Sequence, residues 1–154
     1  MRTVALTVLG VLAAAVALAQ PPAQPPAAAA PRPIGTMSEL MVHVIRPASD
    51  AVFYISSRTP TTEAEWGTLQ AQTLVLAESG HLLLLPARAR GRARWTADAT
   101  LMLEAGRKAF AAATAKDVAA LEALNDELYQ SCVTCHQHFR PGYGKRPGQG
   151  AAKR

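Results

Sequence analysis

The stretch DVAALEALNDELYQSCVTCHQHFR, residues 117–140, sets Leu121, Leu124, Leu128, Cys132, Cys135 and Phe139 three and four residues apart. That spacing gathers all six on one face of a helix and leaves charged and amide side chains for the other face. Thr114 and Asp117 stand where an N-cap is needed, because a side-chain oxygen there can accept one of the unpaired amides of the first turn. After Arg140 the sequence runs Pro141-Gly142-Tyr143-Gly144, which turns the chain into a basic, Gly-rich tail, 141–154, expected to be disordered.

Three more helical stripes lie upstream. Thr36 with Glu39 forms a capping-box signature ahead of Met37, Leu40, Met41, Val44, Ala48, Val52 and Ile55. Pro47 falls inside this pattern and predicts a kink or break near Arg46, because proline donates no hydrogen bond and crowds the carbonyl four residues back. Thr62 with Glu65 repeats the signature before Trp66, Leu69, Thr73, Leu76, Gly80 and Leu83, and Pro86 closes that helix. A basic loop carrying Arg88, Arg90, Arg92 and Arg94 comes next. Trp95 or Thr96 then opens a third stripe of Ala99, Met102, Leu103, Gly106 and Phe110, closing near Ala113.

Aromatic residues make up only 5% of the chain and no alternating β-branched run reaches strand length, so the fold class is all-α. Four helices of about twenty residues with short connections predict an antiparallel up-down-up-down bundle over 36–140. Trp66, Trp95, Phe110 and Phe139 read as its core.

The N-terminus predicts export. Arg2, an apolar run from Val4 to Leu18 and the triplet Ala17-Leu18-Ala19 are the three parts of a signal peptide over 1–19, and the expected location is periplasmic. The run is short for a bilayer-crossing helix, so membrane attachment is expected only if this segment is retained. Residues 20–35 form a Pro- and Ala-rich spacer. Removing Arg2 with the leader leaves 15 Lys and Arg against 11 Asp and Glu, a net of +4. Its cations are not interleaved with aromatics, and together with export this argues against nucleic acid.

The only cysteines sit in Cys132-Val133-Thr134-Cys135-His136, the attachment signature for c-type haem. On a helix, positions i, i+3 and i+4 share a face, so two thiols can bond the vinyl groups while the imidazole reaches the iron. The alternatives fit less well. A redox Cys-x-x-Cys pair expects a βαβ context, and a structural zinc site built on Cys132, Cys135, His136 and His138 would normally draw ligands from a second, distant segment. No Ser-His-Asp set, paired catalytic carboxylates or phosphate-binding loop is present, so the reading is a carrier rather than an enzyme.

The string Cys132 to Arg140, close to the C-terminus, resembles the class II c-type cytochromes, the cytochrome c′ family, in which the motif lies on the last helix and is followed by an aromatic residue and an arginine. Phe139 and Arg140 occupy those positions, and Trp95 and the Lys116-Asp117-Leu121 stretch add to the likeness. The resemblance implies one covalent haem c, His136 as the proximal iron ligand and Arg140 beside it. It also implies a first-helix residue over the other haem face, for which Met41 is the preferred ligand, with Met37 and His43 as rivals. An electron carrier with His136 and Met41 as metal ligands is the leading expectation. A five-coordinate protein that binds or detoxifies nitric oxide or carbon monoxide is the alternative the family also permits. Expected partners are redox proteins, an acidic one suiting Arg88 to Arg94, and the resemblance leaves room for a homodimer.

Overall fold

The computed structural model describes residues 30–89 and 92–144 and is all-helical, with no strand among the described residues. The signal segment, most of the spacer, Arg90, Gly91 and residues 145–154 lie outside the described residues.

Helix α1 covers residues 37–53 in three consecutive parts: α-helical Met37–Leu40, π-helical Met41–Ile45 and α-helical Arg46–Phe53. Its capping box forms as the sequence predicts, the Thr36 hydroxyl accepting from the Glu39 amide and the Glu39 carboxylate accepting from the Thr36 amide. Pro47 does not break the helix. The turn before it widens instead, so that the Arg46 amide donates to the Met41 carbonyl, five residues back. Pro47 then falls in the first turn of the next α-helical part, where a missing amide hydrogen costs least.

Helix α2 is Glu63–Leu84, opened by the Thr62–Glu65 capping box. The segment after it is not wholly a loop, since Pro86–Ala89 makes one further helical turn. Helix α3, Ala93–Thr114, begins two residues ahead of Trp95, with Arg92 at its N-cap. It ends on Lys116, a non-glycine residue at φ 56°, while the Asp117 amide donates to the Ala112 carbonyl in a six-to-one bond. The Thr114 hydroxyl turns back to the Phe110 carbonyl, so Asp117 alone caps the next helical segment, accepting from the Ala120 amide at 2.9 Å. The last helix is divided: a short piece, Val118–Ala123, bends at Leu124 into helix α4, Asn125–Phe139.

Helices α2 and α3 make the most extensive contact in the molecule, with α1 on α2 and α4 on α3. The core runs through Val52, Ile55, Leu76, Leu83, Ala113, Leu121 and Leu128, all fully buried. Trp95 ties the start of α3 to the end of α2 by donating from Nε1 to the Leu83 carbonyl at 2.8 Å. That bond satisfies a carbonyl which the helix end would otherwise leave unpaired.

Two glycines set how closely α2 and α3 approach. A Cβ on Gly80 would lie 2.7 Å from Leu103 Cβ, and one on Gly106 would lie 2.9 Å from the Ala77 backbone, whereas a Cβ on Gly67 would meet nothing. Gly67→Ala should therefore stabilise by about 1 kcal/mol through helix propensity. Gly106→Ala should destabilise by about 1–3 kcal/mol despite the same propensity gain, because the neighbour it meets is backbone and cannot give way. Urea denaturation of the two variants checks this, and equal midpoints would show that the helices are not in close contact.

Candidate functional site

The last turns of α4 carry Ser131 to Phe139 along one wall of a cavity of about 600 Å³. That volume lies within the range of small-molecule and cofactor sites. Cys132, Cys135 and His136 are each half-buried on this wall. The sequence places the cysteines on the buried face of the helix, and the structure refines this: they border a void and are not packed into the core. Arg140 lines the same cavity, as do Met37 and Met41 from α1. The residues preferred from sequence as anchors and ligands thus share one space.

The π-turn explains how α1 reaches along that space. Met37, Met41, Ile45, Ser49 and Phe53 all line it at intervals of four. In an unbroken α-helix residues four apart drift by about 40° per step, which would put Met37 and Phe53 about 160° apart. One extra residue taken into the wide turn returns about 100° of that drift, so a single stripe faces the cavity along the whole of α1.

The remaining histidines go elsewhere. His43 is exposed on the opposite side of α1, and His81 is exposed beside Glu78, 3.5 Å from its carboxylate. His138 turns away from the motif face, and its Nδ1 lies 2.7 Å from Asp98 Oδ2 on α3.

Burial pushes the Cys132 thiol above its ordinary range. It carries Cys135 up to about 11, with the Asp98 carboxylate adding to the effect. Burial also lowers the pKa of His136, and the Arg140 cation lowers it further. The imidazole is therefore held in its neutral, metal-binding form at lower pH than a free histidine. The Arg140 guanidinium sits over the Tyr143 ring at 5.9 Å, and that ring is 5.1 Å from the ring of His136. Residues 141–144, expected to belong to a disordered tail, form a turn that returns Tyr143 to the site, and the rest of that expected tail lies outside the described residues.

Sequence reasoning missed Asp98, Arg46, Ser49 and Tyr143, and read Trp95 as core although it also borders the cavity. Asp98 had a visible signal: it is a carboxylate three residues after Trp95 and four before Met102, on the apolar stripe of α3. Arg46 and Ser49 had none, because only the π-turn brings Ser49 into register with Met37 and Met41, and Arg46 into register with Ser38 and Val42 on the adjacent row.

Among the described residues no group of three or more His, Cys, Asp and Glu side chains is arranged to hold a metal ion. No described helix is long and apolar enough to cross a membrane. No family model matches the chain, and no curated protein or solved structure is significantly similar to it.

The thiol shift has a direct chemical consequence, since only the thiolate reacts with an alkylating agent. In the protein with both thiols free at pH 8, Cys135 should be alkylated about tenfold more slowly than in the same protein unfolded in urea, because the fall in thiolate fraction is partly offset by the greater nucleophilicity of a more basic thiolate, and the rate should rise about tenfold per pH unit up to pH 11. Equal rates with and without urea would contradict the packing described for this turn.

Proposed function

We propose that this chain is an exported monohaem c-type cytochrome of the cytochrome c′ type, acting as a periplasmic electron carrier on an up-down-up-down four-helix bundle. The observation that carries the reading is the convergence of Cys132, Cys135 and His136 with Met41 on one cofactor-sized cavity.

Cys132 and Cys135 would hold a haem by thioether bonds, each thiol supplying its sulfur and its hydrogen to a vinyl double bond, so that attachment would consume no oxidant. Thiols raised by burial are poor thiolate nucleophiles, which speaks against a thiol–disulfide exchange function for the same pair. A zinc site would need a second ligand pair, and among the described residues no group of three or more His, Cys, Asp and Glu side chains is arranged to supply it. His136, held neutral, and Met41, on the same cavity, would be the residues to hold the iron. Arg46 and Arg140, cationic residues at the cavity with exposed ends, are suited to the haem carboxylates. Bound haem supplies an iron that gains and loses one electron, and fixed ligands on both sides keep the rearrangement small.

Two measurements test this. Protein expressed with its leader in a host that attaches haem should keep its colour on extraction with acidified organic solvent and show the added mass of one haem. Haem leaving with the solvent, or a bare polypeptide mass, would refute the attachment. For the ligand, Met41→Ala should convert a low-spin spectrum to high-spin, lower the reduction potential and open the iron to carbon monoxide, while Met37→Ala and His43→Ala leave the spectrum unchanged. A wild-type protein that is already high-spin and quick to bind carbon monoxide would overturn the carrier reading in favour of a gas-binding one.

A further inference from the structure

Asp98 stands out among the cavity residues. It is only 5% exposed, yet it carries a carboxylate on the cavity wall, whereas Arg46, Asp50 and Arg140 on the same lining are less buried. Its hydrogen-bond partner is His138, on the last turn of α4, two residues beyond His136. A buried carboxylate with one side-chain partner among the described residues is costly to keep, so the tie has to return something.

The surroundings indicate what it returns. Trp95, one turn before Asp98, meets Phe139 edge-on at 5.0 Å, and the Arg92 guanidinium lies 4.7 Å from the Trp95 ring and 4.9 Å from the Phe139 ring. The first turns of α3 therefore grip residues 138 and 139, immediately after the Cys-x-x-Cys-His turn. The aromatic contacts hold Phe139 in place but leave rotation of the turn about the helix axis less constrained. A directional hydrogen bond from the neighbouring residue removes that freedom.

We propose that Asp98 is a positioning residue for the haem-bearing turn, fixing through His138 the direction in which His136 faces the cavity. This rests on the haem reading above. It goes beyond that reading by assigning the orientation of the proximal ligand to a residue on a different helix. Because the carboxylate is itself on the cavity wall, removing its charge also disfavours oxidised, more positive iron.

The test uses the haem-loaded protein. Ferric electron paramagnetic resonance g-values report how the ligand rings are oriented, and a redox titration reports the potential. Asp98→Leu, which removes both the acceptor and the carboxylate, should raise the potential and shift the g-values. His138→Ala, on a surface-accessible residue, should shift the g-values too, and His138→Gln, whose amide can still donate to Asp98, should restore them. Lys108→Met breaks another α3–α4 tie, the exposed Lys108–Glu127 pair, and should change neither readout. If wild-type protein carries covalent haem and His138→Ala keeps wild-type g-values, the positioning role is overturned while the haem reading stands. Unchanged g-values in Asp98→Leu overturn it as well. Wild-type protein without covalent haem fails the haem reading itself, and the proposal with it.

Discussion

Helix α1 has to present one continuous stripe to a cavity over seventeen residues, and an α-helix with residues facing inward at every fourth position cannot do so. The wide turn over Met41–Ile45 resolves this, and Pro47 gives the chain a reason to keep it. A proline in a regular helix interior costs about 3 kcal/mol, whereas just after a π-turn it sits where a first-turn residue would. Without that local change Met37 and Met41 on one side and Ser49 and Phe53 on the other could not border the same space.

The other walls arise from contacts of a different kind. Gly80 and Gly106 let α2 and α3 approach closely enough to act as one rigid pair, and Trp95 locks their ends together through the Leu83 carbonyl. Helix α4 then docks on α3 through Phe139 and His138, which leaves the cysteines and His136 half-exposed to the void. The cavity is thus bordered by a stiff pair of helices, a helix phased by its π-turn, and a helix held at its last turn.

Much of this was legible in the sequence. Both capping boxes and the all-helical class follow from residue types and spacing, because caps and helix faces are local properties. Spacing also set Cys132 and Cys135 on one face of the last helix and Met37 and Met41 on one face of the first, and all four line the cavity. What escaped depends on less local physics. Pro47 announces a disturbance but not its form, since a break and a widened turn relieve the same clash. Lys116 adopts a left-handed conformation that sequence would sooner give to glycine, with its backbone held by the bonds that close α3. Tyr143 looks like part of a tail until the turn at 141–144 brings its ring to His136. Asp98 was legible as an anomaly on an apolar stripe, but its partner forty residues away was not.

The central claim is that the two thiols on this cavity wall hold haem through its vinyl groups. The alkaline pyridine spectrum of the reduced, haem-loaded protein tests it most directly, because its visible band moves to shorter wavelength as each vinyl group becomes a thioether. Two thioether bonds predict the fully shifted band in the wild-type protein and an intermediate band when either Cys132 or Cys135 is replaced by alanine. A wild-type band at the position of free haem would contradict it.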